Sequence, residues 1–251
     1  MNAIKNLLFT GMLAGLAACQ ASSDGSISPG AGVGGSMARF TVAGDMLYTV
    51  NSTSLQLYHI ANSANPVKGD KIRLGFGVET IFPYGKNLFI GTQTGVYIFD
   101  ITQPASPKKL ALYQHIMSCD PVVAQGNLAF STLRSGTACR NGGIVGANVL
   151  DVIDFTNPSA PKLLKSYPMQ NPHGLGVDGN LLFVSEGDYG LKVLDITDPL
   201  NAKEIAWFKD IKTYDVIPNQ KVLIVTGPDG LFQYSYANPK DITLLSKLPI
   251  E

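Results

Sequence analysis

Gly190-Leu-Lys-Val-Leu-Asp-Ile-Thr-Asp-Pro199 decides the fold, because Gly95-Val-Tyr-Ile-Phe-Asp-Ile-Thr-Gln-Pro104 has the same shape. Each opens on a glycine, runs through β-branched, aliphatic and aromatic residues, and stops at an aspartate before a proline-bearing turn. Proline cannot donate to a strand ladder, so it ends the strand. Leu57-Tyr-His-Ile60, Val152-Ile-Asp-Phe155 and Gln233-Tyr-Ser-Tyr236 occupy the same place in three further units. A second series precedes them: Met46 to Val50, Asn87 to Gly91, Leu128 to Thr132, Leu181 to Ser185 and Val222 to Thr226. Its central residues, Tyr48, Phe89, Phe130, Phe183 and Ile224, are spaced by 41, 41, 53 and 41 residues.

Five units of one length, one carrying an insertion, form a repeat architecture. Within each unit, apolar runs alternate with turn signals such as Gly44-Asp45, Gly85-Lys86-Asn87, Gly179-Asn180 and Asp229-Gly230, and no stretch has helical periodicity. The pattern predicts four strands per unit: a short opening strand such as Ile81 to Tyr84, the two just described, and an outer one such as Lys108 to Tyr113. Sheets of this size set around an axis bury both faces of every sheet, whereas a linear solenoid needs polar caps that the chain lacks. The expected fold is all-β: a five-bladed β-propeller of four-stranded antiparallel blades over residues 37–251. The repeats run in phase from first strand to last, so no strand is evidently exchanged to close the ring.

Composition narrows the partners. With 19 basic and 19 acidic side chains there is no net field to gather nucleic acid or an anionic surface. Charged residues make up only 15% of the chain and hydrophobic ones 45%, which suits a turn-rich β protein.

Residues 1–18 read as a signal peptide: Lys5, then an apolar run from Leu7 to Ala18 too short to span a bilayer. Its end, Leu16-Ala17-Ala18-Cys19, resembles the bacterial lipobox, which implies acylation (palmitate) at Cys19. Gln20 after the cysteine implies an outer-membrane address by resemblance to Gram-negative lipoproteins. Residues 19–36 are rich in Ser and Gly and are expected to be a flexible tether.

The repeats, and the Gly190 to Pro199 and Gly95 to Pro104 segments above all, resemble the LVIVD repeats of bacterial and archaeal surface proteins. That resemblance implies a propeller at the cell envelope and no particular reaction. Asp100, Asp154 and Asp195 fall at the strand end before the proline turn, where turn capping is the expected role, and His59 and Ser235 replace them in the outer units.

Cys119 and Cys139 remain once Cys19 is lipidated, and the second lies in the insertion Arg134 to Asn148. An oxidising envelope lets them pair, a cross-link worth roughly 3 kcal/mol over a loop of about 20 residues. Two free buried thiols is the alternative, and a metal site lacks further ligands at suitable spacing.

Six residues before the turn glycines Gly85, Gly126 and Gly179 stand Glu79, Asp120 and His173, with Asp215 near the same register. Opening strands of a propeller start at one mouth of its channel, so these side chains converge there or cap strand starts. A convergent set could bind a polar ligand or a divalent cation, or supply paired carboxylates. Arg134 and Arg140 add anion contacts. No nucleophile elbow, phosphate loop, dinucleotide fingerprint or zinc-protease motif is present. The expected function is therefore a monomeric, lipid-anchored envelope module that binds a protein, glycan or small polar ligand without a resident cofactor. An envelope hydrolase or lyase is the competing expectation.

Overall fold

A computed structural model describes residues 34–114, 121–135 and 148–249 of this chain. It is a five-bladed β-propeller. Blade one comprises β1 (Phe40–Ala43), β2 (Met46–Asn51), β3 (Ser54–His59) and β4 (Val67–Arg73). Blade two has β5 (Val78–Tyr84), β6 (Asn87–Thr92), β7 (Gly95–Asp100) and β8 (Lys108–Gln114). Blade three has β9 (Val122–Gln125), β10 (Leu128–Leu133), β11 (Val149–Asp154) and β12 (Lys162–Pro168). Blade four has β13 (Leu175–Asp178), β14 (Leu181–Ser185), β15 (Leu191–Asp195) and β16 (Lys203–Phe208), and blade five β17 (Asp215–Asn219), β18 (Val222–Gly227), β19 (Gly230–Ser235) and β20 (Thr243–Leu248). Every blade is built from four consecutive strands in antiparallel order, so no strand is exchanged between the described blades.

The outer pair of each blade carries a register shift near its middle, which strengthens the twist. The aspartates before the proline turns accept from the turn itself: Thr102, Thr156 and Thr197 donate backbone N–H at 2.7, 2.7 and 2.9 Å to Asp100, Asp154 and Asp195. Their hydroxyls donate to the same oxygens, and these bonds hold the three carboxyls below the usual range. The sequence pattern Asp-x-Thr thus closes a small ring at each turn.

Apolar cores lie between neighbouring blades. Tyr48, Leu55 and Leu57 meet Leu88, Ile90 and Phe99; Phe89 and Ile98 meet Ala129, Ile153 and Phe155. Phe130 and Val152 meet Leu182 and Val184, and Phe183 and Val193 meet Leu223, Val225 and Tyr236. Tyrosines tie the same joints at their rims: Tyr48 Oη donates to the Pro104 carbonyl and Tyr167 Oη to that of Pro199, both at 2.7 Å. Ala202 N–H donates in turn to Tyr167 Oη at 2.8 Å. Tyr167→Phe removes both bonds, and the expected result is a loss of about 1–2 kcal/mol, read as a lower urea midpoint with an unchanged slope.

The joint between blade five and blade one is different. β6 and β14 are buried along their whole length, but β2 and β18 bury only alternate residues. Among the described residues no apolar cluster spans that joint. What links the two ends is the chain just before β1. Ser36 is fully buried; its hydroxyl donates to Asp215 Oδ1 at 3.0 Å and accepts from Leu175 N–H at 2.8 Å. Gly34 and Gly35 lie among Phe82, Val123, Leu175, Val216 and Ile217, inside the channel. The end of the expected tether is therefore packed structure, and it does the bridging that an exchanged strand would do. Glycine is required there by close approach: a Cβ at Gly35 would stand 2.1 Å from Asp215 Oδ2.

Candidate functional site

Strand direction sorts the loops onto two faces. The turns after the opening strand and after the third strand gather on one face. The connections between blades and the turns after the second strand gather on the other, at the channel mouth. The far face carries the turns after the opening strands and the Asp-capped turns of blades two to four. The mouth face carries exposed Met37, Phe76, Tyr189 and Tyr214.

At the mouth a cavity of about 100 Å³ is lined by Met37, Arg39, Glu79, Thr80, Pro121, Arg134, Pro172 and His173. Blades one to four each contribute. Glu79 is the extra residue of a bulge in β5, where the pairing slips between Val78 and Thr80, and bulges re-aim side chains in this way. Gln93 Nε2 donates to Glu79 Oε1 at 3.3 Å. Burial raises the Glu79 carboxyl, against the pull of Gln93, Arg39 and Arg134.

Arg134 follows the last residue of β10 and lays its Nη1 2.9 Å from Nδ1 and 2.6 Å from Nε2 of His173. A guanidinium has no acceptor, so the imidazole facing it must offer a lone pair and stay neutral. Burial, followed by the Arg134 charge, pushes His173 down to about 4, against a small pull from Asp188. In an NMR titration His173 is expected to stay neutral down to about pH 4, and Arg134→Gln is expected to move its midpoint upward.

The loop bearing His173 is fixed from below by a residue that the sequence pattern did not single out. Glu186 is fully buried and accepts N–H bonds from Gln170 at 3.0 Å and Asn171 at 2.7 Å. It pairs with buried Lys192 at 3.0 Å, whose ammonium also lies 4.5 Å from the Trp207 ring centre. The only hint in the sequence is a Glu six residues before a Lys set between apolar Leu191 and Val193. His173 itself packs on Tyr214, with ring centres 5.4 Å apart.

Glu79 and His173, from two of the equivalent start positions, thus line one cavity together with Arg134. Asp215 does not join them: its carboxyl faces Ser36 and the backbone N–H groups of Val216 and Met37, and a Cβ at Gly174 would stand 2.0 Å from its Oδ1. Asp215 is a latch for the entering chain. Asp120, Arg140, Cys119, Cys139 and Cys19 lie outside the described residues. Among the described residues the cavity holds one carboxylate, so Glu79 and Asp215 do not flank a common bond as a glycosidase pair would. Two arginines at the rim also disfavour a divalent cation, and no cluster of three His, Cys, Asp or Glu occurs among the described residues. No helix among them is long and apolar enough to cross a membrane.

The LVIVD repeat model matches residues 144–168 and 173–207, which fall in blades three and four. No curated protein matches the chain. Among solved structures, a protein from Lactobacillus plantarum is similar with a TM-score of 0.65 at 15% identity, over 82% of this chain and 69% of that one. The periplasmic gluconolactonase PpgL of Pseudomonas aeruginosa is similar with a TM-score of 0.62 at 14% identity, over 82% of this chain and 68% of that one. BamB from Moraxella catarrhalis gives 0.52 at 11% identity, and this chain spans 59% of its length. At these identities the likeness speaks for the fold alone.

Proposed function

We propose that this LVIVD-repeat propeller is a binding module of the cell envelope, anchored by a lipid on Cys19 at the outer membrane. It presents its mouth face to a protein, glycan or small polar ligand. The contrast between the two faces carries this reading: the far face holds the capped turns of blades two to four, while the mouth face carries both a polar cavity and exposed aromatic residues. Binding residues concentrate on loops held by a rigid scaffold, and here the scaffold is four packed blade joints.

The segments bearing Cys119 and Cys139 leave from Gln114 and Ser135 and return at Pro121 and Asn148, all at the mouth. The proposed Cys119–Cys139 disulfide would join these two segments. Glycosidase-like hydrolysis is the competing reading, and Glu79 is the carboxylate it would use among the described cavity residues.

Two measurements test the proposal. Cells labelled with a fatty-acid analogue should acylate this chain, and Cys19→Ala should abolish the label. A thermal-shift screen of the full mature chain in detergent against metals, sugars, organic acids and candidate proteins should find a ligand whose stabilisation vanishes in Arg134→Gln. A ligand that stabilises Arg134→Gln and a far-face variant equally, or turnover of a glycoside, overturns it.

A further inference from the structure

Phe76 is 80% exposed, more than any other large apolar side chain described. It is not on a loose loop. Leu74 N–H donates to the Thr53 carbonyl at 3.0 Å, Val78 N–H to that of Ser52 at 3.1 Å, and Gln93 N–H to that of Gly77 at 2.9 Å. Tyr97 Oη donates to the Leu74 carbonyl at 2.7 Å. Gly75 and Gly77 take φ of +97° and +85°, which only glycine adopts freely, and they turn the chain so that the ring between them stands out. Holding an aromatic ring in water on a pinned loop gains nothing for folding.

Beside the ring lies an open groove of about 460 Å³, lined by Thr53, Ser54, Lys71, Arg73, Gly75 and Phe76. Lys71 pairs with Gln56 and Arg73 with Ser54, so the two cations share one face of β4, while Asp70 alternates to the other. Among the described residues neither cation forms a salt bridge. That face looks toward the blade-five joint, where no apolar cluster covers it. An aromatic platform, two cations two strand positions apart and a hydroxyl rim suit a ring with an apolar face and an attached carboxylate.

We propose that this groove binds an acidic sugar: a uronic-acid unit stacked on Phe76, with its carboxylate, and that of the next unit, held by Arg73 and Lys71. Charge complementarity selects the acid over a neutral sugar, and the ring selects a pyranose over a simple anion. The inference builds on the binding-module reading but uses a groove on the same face that shares no residue with the mouth cavity, so the two can fail separately.

Isothermal titration of the full mature chain with a uronic-acid tetrasaccharide, its neutral counterpart and a Glu-rich peptide decides it. The acidic sugar should bind at least about tenfold more tightly than the neutral one, weaken as salt is raised, and lose about tenfold or more in Phe76→Ala and in Lys71→Gln with Arg73→Gln. All three positions are exposed, so melting temperatures should stay unchanged. Absence of binding, equal binding of the peptide, or loss through dimerisation at this face overturns the inference. So does sensitivity to Arg134→Gln alone, which would instead assign the sugar to the mouth and leave the binding-module reading standing.

Discussion

Glu186→Ala is expected to cost about 3–5 kcal/mol, because it leaves the Lys192 ammonium buried without its partner. Glu204, 3.7 Å from Lys192 and half exposed, offers partial rescue only. The same change strips the acceptors from Gln170 and Asn171 N–H, and an unmade bond at a half-buried donor adds to the loss. Calorimetric or urea unfolding reads the total. The companion variant, Glu186→Leu with Lys192→Met, removes both charges and should recover much of the stability, since an apolar pair of similar volume avoids the desolvation of both ions. If the double variant is no better than the single, the loop contacts rather than the ion pair carry the cost. Either way His173 should lose its stacking on Tyr214, with a changed ring shift in the NMR spectrum. The pair therefore links the stability of blade four to the shape of the mouth.

Why Glu186 escaped the sequence, while the blades did not, follows from what a period can encode. Spacing fixes what every repeat must share: the strand Leu-Phe-Val of blade four matches Leu-Phe-Ile of blade two because both faces of each are buried. Likewise Asp-x-Thr recurs because each turn must cap its own backbone. Glu79 and His173 were singled out by the same logic, as ionisable residues at equivalent positions. Asp215 showed its limit. It falls close to the same register, yet the segment entering the channel takes its carboxyl, and that segment belongs to no repeat. Ser36 sits at the end of a Gly- and Ser-rich run whose composition argues for a tether. Composition says nothing of a hydroxyl that finds one donor on blade four and one acceptor on blade five. Ion pairs and latches of this kind are set by three-dimensional proximity, and no local pattern announces them.

The latch gives the second large effect, and its sign depends on pH. Burial pushes Asp215 up to about 6, against the bonds from Val216, Ser36 and Met37 that favour its charged form. In the unfolded chain the same group titrates near the ordinary aspartate value of about 3.9. A folded-state pKa above the unfolded one means that the native chain holds the proton more tightly. The stabilisation is then complete below about pH 4 and is lost as pH rises through about 6. A gap of this size between the folded and unfolded chains corresponds to roughly 2 kcal/mol once solvent screening of this half-buried group is allowed for. Asp215→Ala should accordingly destabilise most at pH 4, by about 3 kcal/mol, where it removes the acceptor of the Ser36 hydroxyl without relieving any buried charge. At pH 8 the loss should shrink to about 1 kcal/mol, because the wild type there carries the cost of a desolvated carboxylate. Asp215→Asn, neutral throughout, should show no such trend, so the difference between it and the wild type isolates this one titration from all others. Equal losses at the two pH values would place the Asp215 carboxyl in water. The blade-five joint would then be held by something other than the Ser36 contact, and the exposed faces of β2 and β18 would be the place to seek it.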